Sequence, residues 1–70
     1  MKIKQYRLIE VRNKSNILRT DTNLEDLYDQ FHSLIEDENK WRNYDYSLVL
    51  IEVGSKNICA RFEVYSTKAE

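Results

Sequence analysis

His32 and Cys59 are the only histidine and cysteine in this 70-residue chain, so they are its only soft metal ligands and the first places to look for a base or a nucleophile. A structural zinc site usually needs four such ligands, and a single cysteine forms no internal disulfide. His32 follows Phe31 at the edge of an apolar stripe, which suits a boundary residue better than a general base. Ser33 and Ser47 have no partners at triad spacing, and the one glycine, Gly54, makes no loop that would cradle a phosphate. Glu36, Asp37 and Glu38 are consecutive, and on a helix consecutive side chains diverge, so they do not converge as an acid/base pair must. These residues predict no catalytic, metal or cofactor site, and a chain that is not an enzyme.

Binding chemistry is better represented. The net charge is only -1, yet it is unevenly spread. Residues 1–20 carry Lys2, Lys4, Arg7, Arg12, Lys14 and Arg19 against Glu10, whereas residues 21–45 carry eight acids against Lys40 and Arg42. The basic segment with Tyr6, and with Tyr46 or Tyr65 stacking on bases, suits a nucleic-acid backbone, with Arg7, Arg12, Lys14 and Arg19 as the contacts. A pI near 5.8 argues against that use. The acidic segment suits a basic patch on another protein, because spaced carboxylates present the same sign of field as phosphates.

The elements that must carry these groups follow from periodicity. In "YRLIEVRNKSNILRTDT" two β-favouring runs flank Asn13, Lys14, Ser15 and Asn16, which suits a hairpin. Thr22 stands three residues before Glu25, a capping-box spacing, and Leu24, Leu27, Tyr28, Phe31, Leu34 and Ile35 fall at i, i+3, i+4, i+7. This predicts a helix from Asn23 to about Asn39. Residues 44–66, "YDYSLVLIEVGSKNICARFEVYS", read as two strands around a turn at Gly54. The predicted fold is α+β in the order ββαββ, a single domain over residues 1–70 with a four-stranded antiparallel sheet and one amphipathic helix on one face.

Alternation then divides the strands into two rows. The helix-facing row is expected to hold Ile9, Val11, Ile17, Val49, Ile51, Val53, Ile58, Ala60, Phe62 and Val64. The opposite row is expected to hold Tyr6, Leu8, Leu18, Leu48, Leu50, Cys59 and Tyr65, interleaved with Glu10, Arg12, Glu52, Arg61 and Glu63. Four strands at ~4.8 Å make a sheet about 19 Å wide, and a helix is about 10–12 Å across. One helix cannot shield both faces. Five exposed apolar side chains giving up roughly 50–80 Å² each at ~25 cal/mol per Å² would favour association by about 6–10 kcal/mol before its costs.

The expected function is a non-enzymatic protein-binding module, a homodimer or a blocker of another protein. Its contacts are expected to be Tyr6, Leu8, Leu48, Leu50 and Tyr65 on the open row, Trp41 and Arg42 beside it, and Glu25, Asp29 and Glu36 on the helix. Trp41, with Tyr44 and Tyr46, serves either as a lid on the core or as a partner contact. No run approaches the ~20 apolar residues of a membrane span, and "MKIKQYRLIE" lacks the apolar stretch of a signal peptide, so a soluble, cytoplasmic protein without membrane partners is expected. In size and composition the chain resembles the small accessory proteins of phages and mobile elements. Some of these, such as anti-CRISPR proteins, block host machinery by binding it, and the resemblance implies an inhibitor of that kind.

Overall fold

The computed structural model describes residues 3–42 and 44–65, with elements in the predicted order. β1 (Tyr6–Val11) and β2 (Ser15–Asp21) form one hairpin, α1 (Leu24–Glu36) follows, and β3 (Tyr46–Glu52) and β4 (Ile58–Val64) form the other. A single-turn helix, α2 (Glu38–Trp41), joins α1 to β3. The four strands make one antiparallel sheet in the order β2-β1-β3-β4, so each hairpin contributes one central and one edge strand. Gly54, at φ 80°, supplies the left-handed residue that the tight β3–β4 turn requires. Ser66, the last residue of the predicted second hairpin, lies outside the described residues.

The predicted apolar stripe of α1 is the one that packs. Leu27 and Phe31 are buried, and Leu24, Tyr28, Leu34 and Ile35 lie against the same core. The helix ends differ from expectation. Asn23, not Thr22, caps α1, its Oδ1 accepting from the Asp26 N–H at 3.3 Å, while Asp21 Oδ1 accepts from the Asn23 N–H at 3.0 Å. Asn caps at least as well as Thr, and the flanking aspartate fixes the approach of the chain. That N–H bond first, and the Arg19 side chain second, hold the Asp21 carboxyl below the ordinary range. At the other end α1 stops at Glu36 because Asp37 is non-helical, at φ -87° and ψ 85°. The indole Nε1–H of Trp41 turns back and donates to the Ile35 carbonyl at 2.8 Å, satisfying one of the acceptors that a helix end leaves open. Glu36 and Glu38 therefore sit in different helices rather than on one continuous one.

The two sheet faces are exchanged relative to expectation. Leu8, Leu48 and Leu50 are fully buried beneath α1, and Tyr46 joins them. Tyr6 and Cys59 also lie on this side. Ile9, Val11, Val49 and Ile51, predicted to face the helix, alternate with the buried positions and face away from it. One pair permits the exchange, and two irregularities accompany it. Tyr46 stands diagonal to Glu10 and donates its hydroxyl to Glu10 Oε2 at 2.7 Å, so the row containing Glu10 can be buried with its acid satisfied. Bulges then break the alternation of both edge strands: Leu18 is an extra residue opposite the step from Leu8 to Ile9, and Cys59 opposite the step from Leu50 to Ile51. Beyond its bulge β4 keeps Ala60 and Phe62 on the core, while Ile58 turns out to the open face, 53% exposed.

Leu8 and Leu50 are cross-strand partners in the two central strands, so both bulges flank this one pair. Replacing Leu50 by Ala should destabilise the protein by about 2–5 kcal/mol, read as a lowered urea midpoint at unchanged slope. Leu50→Lys should abolish the helical circular dichroism. A folded, fully stable Leu50→Lys protein would contradict the burial.

Candidate interaction surfaces

The face of the sheet away from α1 is built from cross-strand rows that the register fixes. One row is Thr20, Arg7, Ile51 and Ile58; the next is Ile17, Ile9, Val49 and Arg61; the third is Ser15, Val11, Ser47 and Glu63. Half of these twelve positions are Ile or Val, and they adjoin one another across all four strands. β-Branched side chains pack well against neighbours on a pleated surface, which leaves Ile9, Val11, Val49 and Ile51 half-buried although no other element among the described residues covers them. Ile17, at 60% exposed, and Ile58 stand at the two margins, where neighbours are fewer. The larger polar members engage one another locally: Arg7 Nε donates to Thr20 Oγ1 at 3.2 Å, and Arg61 Nε lies 3.5 Å from Glu63 Oε1.

The residues expected to form a partner surface are dispersed by this arrangement. Leu8, Leu48 and Leu50 are enclosed and touch no partner unless the domain opens, and Tyr6 lies on the helix side. Tyr65 is 71% exposed, and its hydroxyl donates to Glu63 Oε2 at 3.1 Å. That bond, and then the Glu63 charge, raise the Tyr65 pKa. Trp41 is set edge-on to Phe62 with ring centroids 5.4 Å apart, which makes it a lid on the core, while Arg42 beside it is exposed. Glu25, Asp29 and Glu36 are exposed on the outer side of α1, across the molecule from the open sheet face. No single flat surface of a partner can meet both.

The basic residues do not converge. Arg19 pairs with Asp21 and lies 3.7 Å from Asp26, so the helix start neutralises it. The Arg12 guanidinium sits 5.1 Å from the centroid of the Tyr44 ring. His32 is exposed, stacked on Tyr28 and edge-on to Phe31 within its own helix. Cys59, predicted on the open row, is the bulge residue on the core side, and its carbonyl accepts from the Tyr28 hydroxyl at 3.1 Å. A shallow hollow lies between the segment before β1 and the β3–β4 turn, where Lys4 Nζ stands 3.8 Å from Glu52 Oε1. Among the described residues no cluster of three or more His, Cys, Asp or Glu could hold a metal ion, and no helix is long and apolar enough to cross a membrane.

No known family, curated protein or solved structure matches the chain.

Sequence reasoning also missed the Glu10–Tyr46 pair, although an acid between two apolar residues on β1 and a tyrosine at the start of the greasiest strand were the signal for it. Burial first, and the bond to Glu10 second, push the Tyr46 phenol well above its ordinary value, so the folded state holds it neutral. A raised pKa contributes stability that is complete below the unfolded value near 10 and is lost as the pH climbs above it. Wild-type stability should therefore fall between about pH 10 and 12, with Tyr46 contributing up to ~1.4 kcal/mol per pH unit. Tyr46→Phe should flatten that slope while costing about 1–3 kcal/mol at neutral pH, because Glu10 loses its donor. Urea midpoints across this range provide the check, and equal slopes would contradict the assignment.

Proposed function

We propose that this chain is a protein-binding module that acts without catalysis, by seating the open face of its sheet on an aliphatic surface of another protein. One observation carries the reading: Ile9, Val11, Ile17, Val49, Ile51 and Ile58 form a continuous aliphatic surface on the side the helix does not reach. A contiguous apolar patch rimmed by polar residues is a common mark of an interaction site. Here Arg7, Ser15, Ser47 and Arg61 stand around it. Such a module works by occupying a surface, which accords with the blocking role implied by its resemblance to small phage accessory proteins.

The nucleic-acid reading has less support, since Arg19 is neutralised by its own acids and Arg12 is engaged with Tyr44. The acidic stripe of α1 is a separate surface on the far side of the molecule.

Capture from a lysate of the native host separates these readings when three immobilised proteins are compared: wild type, Ile51→Lys and Asp29→Lys. One protein should be retained by wild type and by Asp29→Lys and lost with Ile51→Lys, whose helical circular dichroism should match wild type. Loss with Asp29→Lys alone would transfer the function to the helix. Recovery of nucleic acid that disappears with salt and with Arg7→Ala or Arg12→Ala would favour the alternative.

A further inference from the structure

We infer that β4 is a dimerisation edge: two copies of this chain pair β4 against β4 in antiparallel register about Phe62, joining their sheets into one of eight strands. The inference stands on the backbone and charge geometry of the edge, independently of the face proposed above, and it enlarges that face.

The hydrogen-bond phase of the sheet fixes which groups are available. The Val53 N–H donates to the Gln5 carbonyl at 2.8 Å, in line with the β1–β3 register. Bonded pairs alternate along an antiparallel ladder, so Ile51, Val49 and Ser47 bond towards β1, while Glu52, Leu50 and Leu48 turn their backbone groups to β4. The Glu52 N–H accordingly donates to the Asn57 carbonyl at 3.2 Å. Leu48 pairs with Phe62 and Tyr46 with Val64, so these two β4 residues bond inward. Arg61 and Glu63 must therefore direct both their N–H and C=O groups outward, along an edge that no other strand covers among the described residues.

The two edges of the sheet are not equivalent. β2 carries its bulge at Leu18, in mid-strand, and Arg19 beside it is tied to Asp21 and Asp26. Bulges and fixed charges are the usual protection of an edge. On β4 the bulge lies at the start, where the Tyr28 hydroxyl occupies the Cys59 carbonyl, and the strand runs regularly from Ala60 to Val64.

Charge then selects one register. A two-fold axis at Arg61 would set arginine opposite arginine, and one at Glu63 would set glutamate opposite glutamate. An axis at Phe62 places each Arg61 opposite the Glu63 of the second copy. The intrachain Arg61–Glu63 contact extends into a ring of four alternating charges on the open face. The same axis brings the two Phe62 residues together as a pair that exchanges no backbone bonds, with Cα atoms about 4.5 Å apart. Each Phe62 is flanked by its own Trp41. The two copies of α1 do not meet, since α1 packs on β1 and β3 and the copies would lie roughly four strand spacings, ~19 Å, apart against a helix diameter of about 10–12 Å.

Area explains what such a dimer would gain. Four strands at ~4.8 Å by seven residues at ~3.3 Å present a face on the order of 440 Å², about half of the ~800 Å² that each partner contributes to a standard interface. Because the axis is perpendicular to the sheet, the two open faces lie on the same side and together reach that size.

Sedimentation equilibrium on wild type and charge variants tests the register. Wild type should be a dimer, and Arg61→Glu or Glu63→Arg should each raise the dissociation constant about tenfold or more, since each sets like charges opposite in two places. The double reversal Arg61→Glu/Glu63→Arg should restore wild-type affinity, and an equimolar mixture of the two single variants should form a heterodimer. A wild type that stays monomeric up to about 1 mM, a threshold corresponding to about -4.1 kcal/mol, would overturn the inference. So would single reversals without effect or a double reversal that does not recover. Ile51→Lys lies away from the edge and should leave the dimer intact, so failure here and failure of the proposed face are separately visible.

Discussion

A four-stranded sheet about 19 Å across has two faces to dry, and this chain supplies one long helix about 10–12 Å wide. The conflict is sharpest in β3, where "YSLVLIE" carries aliphatic side chains on both sides of the backbone. The fold resolves it by giving the helix the leucine row. Leu8, Leu48 and Leu50 meet Leu27 and Phe31 in one core, each fully buried aliphatic side chain contributing about 1.5–3 kcal/mol. The isoleucines and valines are left to shield one another on the opposite face, which half-buries the central ones and leaves Ile17 and Ile58 in solvent.

That choice propagates to the edges. A flat sheet would present long regular strands on both sides, but the bulges at Leu18 and Cys59 flank the central Leu8–Leu50 pair, and bulges increase local twist. Their placement differs in consequence. In β2 the bulge and the Arg19, Asp21 and Asp26 cluster break the edge and also set the start of α1, since Asp21 and Asn23 are consecutive links in its cap. In β4 the regular stretch lies beyond the bulge, with Arg61 and Glu63 alternating on its open side. One edge is committed to the fold, and the other is left without a neighbouring strand among the described residues.

Much of the architecture was legible in the residues. The stripe from Leu24 to Ile35 predicted α1 and its buried side, Gly54 marked its turn, and the order ββαββ followed. The face assignment was not legible, because both rows of β3 are apolar and alternation cannot rank them. The leucine row also carries Glu10, and a lone acid ordinarily stays in water, a rule that fails once a tyrosine supplies a bond across the sheet. The bulges escaped for a different reason: an extra residue has no composition of its own, yet it breaks the alternation, so that in β4 Ile58 turns out while Ala60 and Phe62 stay on the helix side as expected. Hence Leu8, Leu48 and Leu50 were assigned to a surface that is built instead from their neighbours. Among the described residues, the side of the sheet away from α1 carries Ile9, Val11, Ile17, Val49, Ile51 and Ile58 in place of the leucines expected there.

Thiol accessibility tests the assignment of faces most directly, because adjacent residues of β3 should behave oppositely. In a Cys59→Ser background, cysteine is placed at position 48 or at position 49 and the rate of reaction with a disulfide reagent in native buffer is measured. The thiol replacing Val49, half-buried on the open face, should react in the native state without any opening of the domain. The thiol replacing Leu48 should react about a thousandfold more slowly than in the unfolded chain, the protection expected for a group reached only through an opening of about 4 kcal/mol. Fast labelling at 48 with protection at 49 would contradict the assignment.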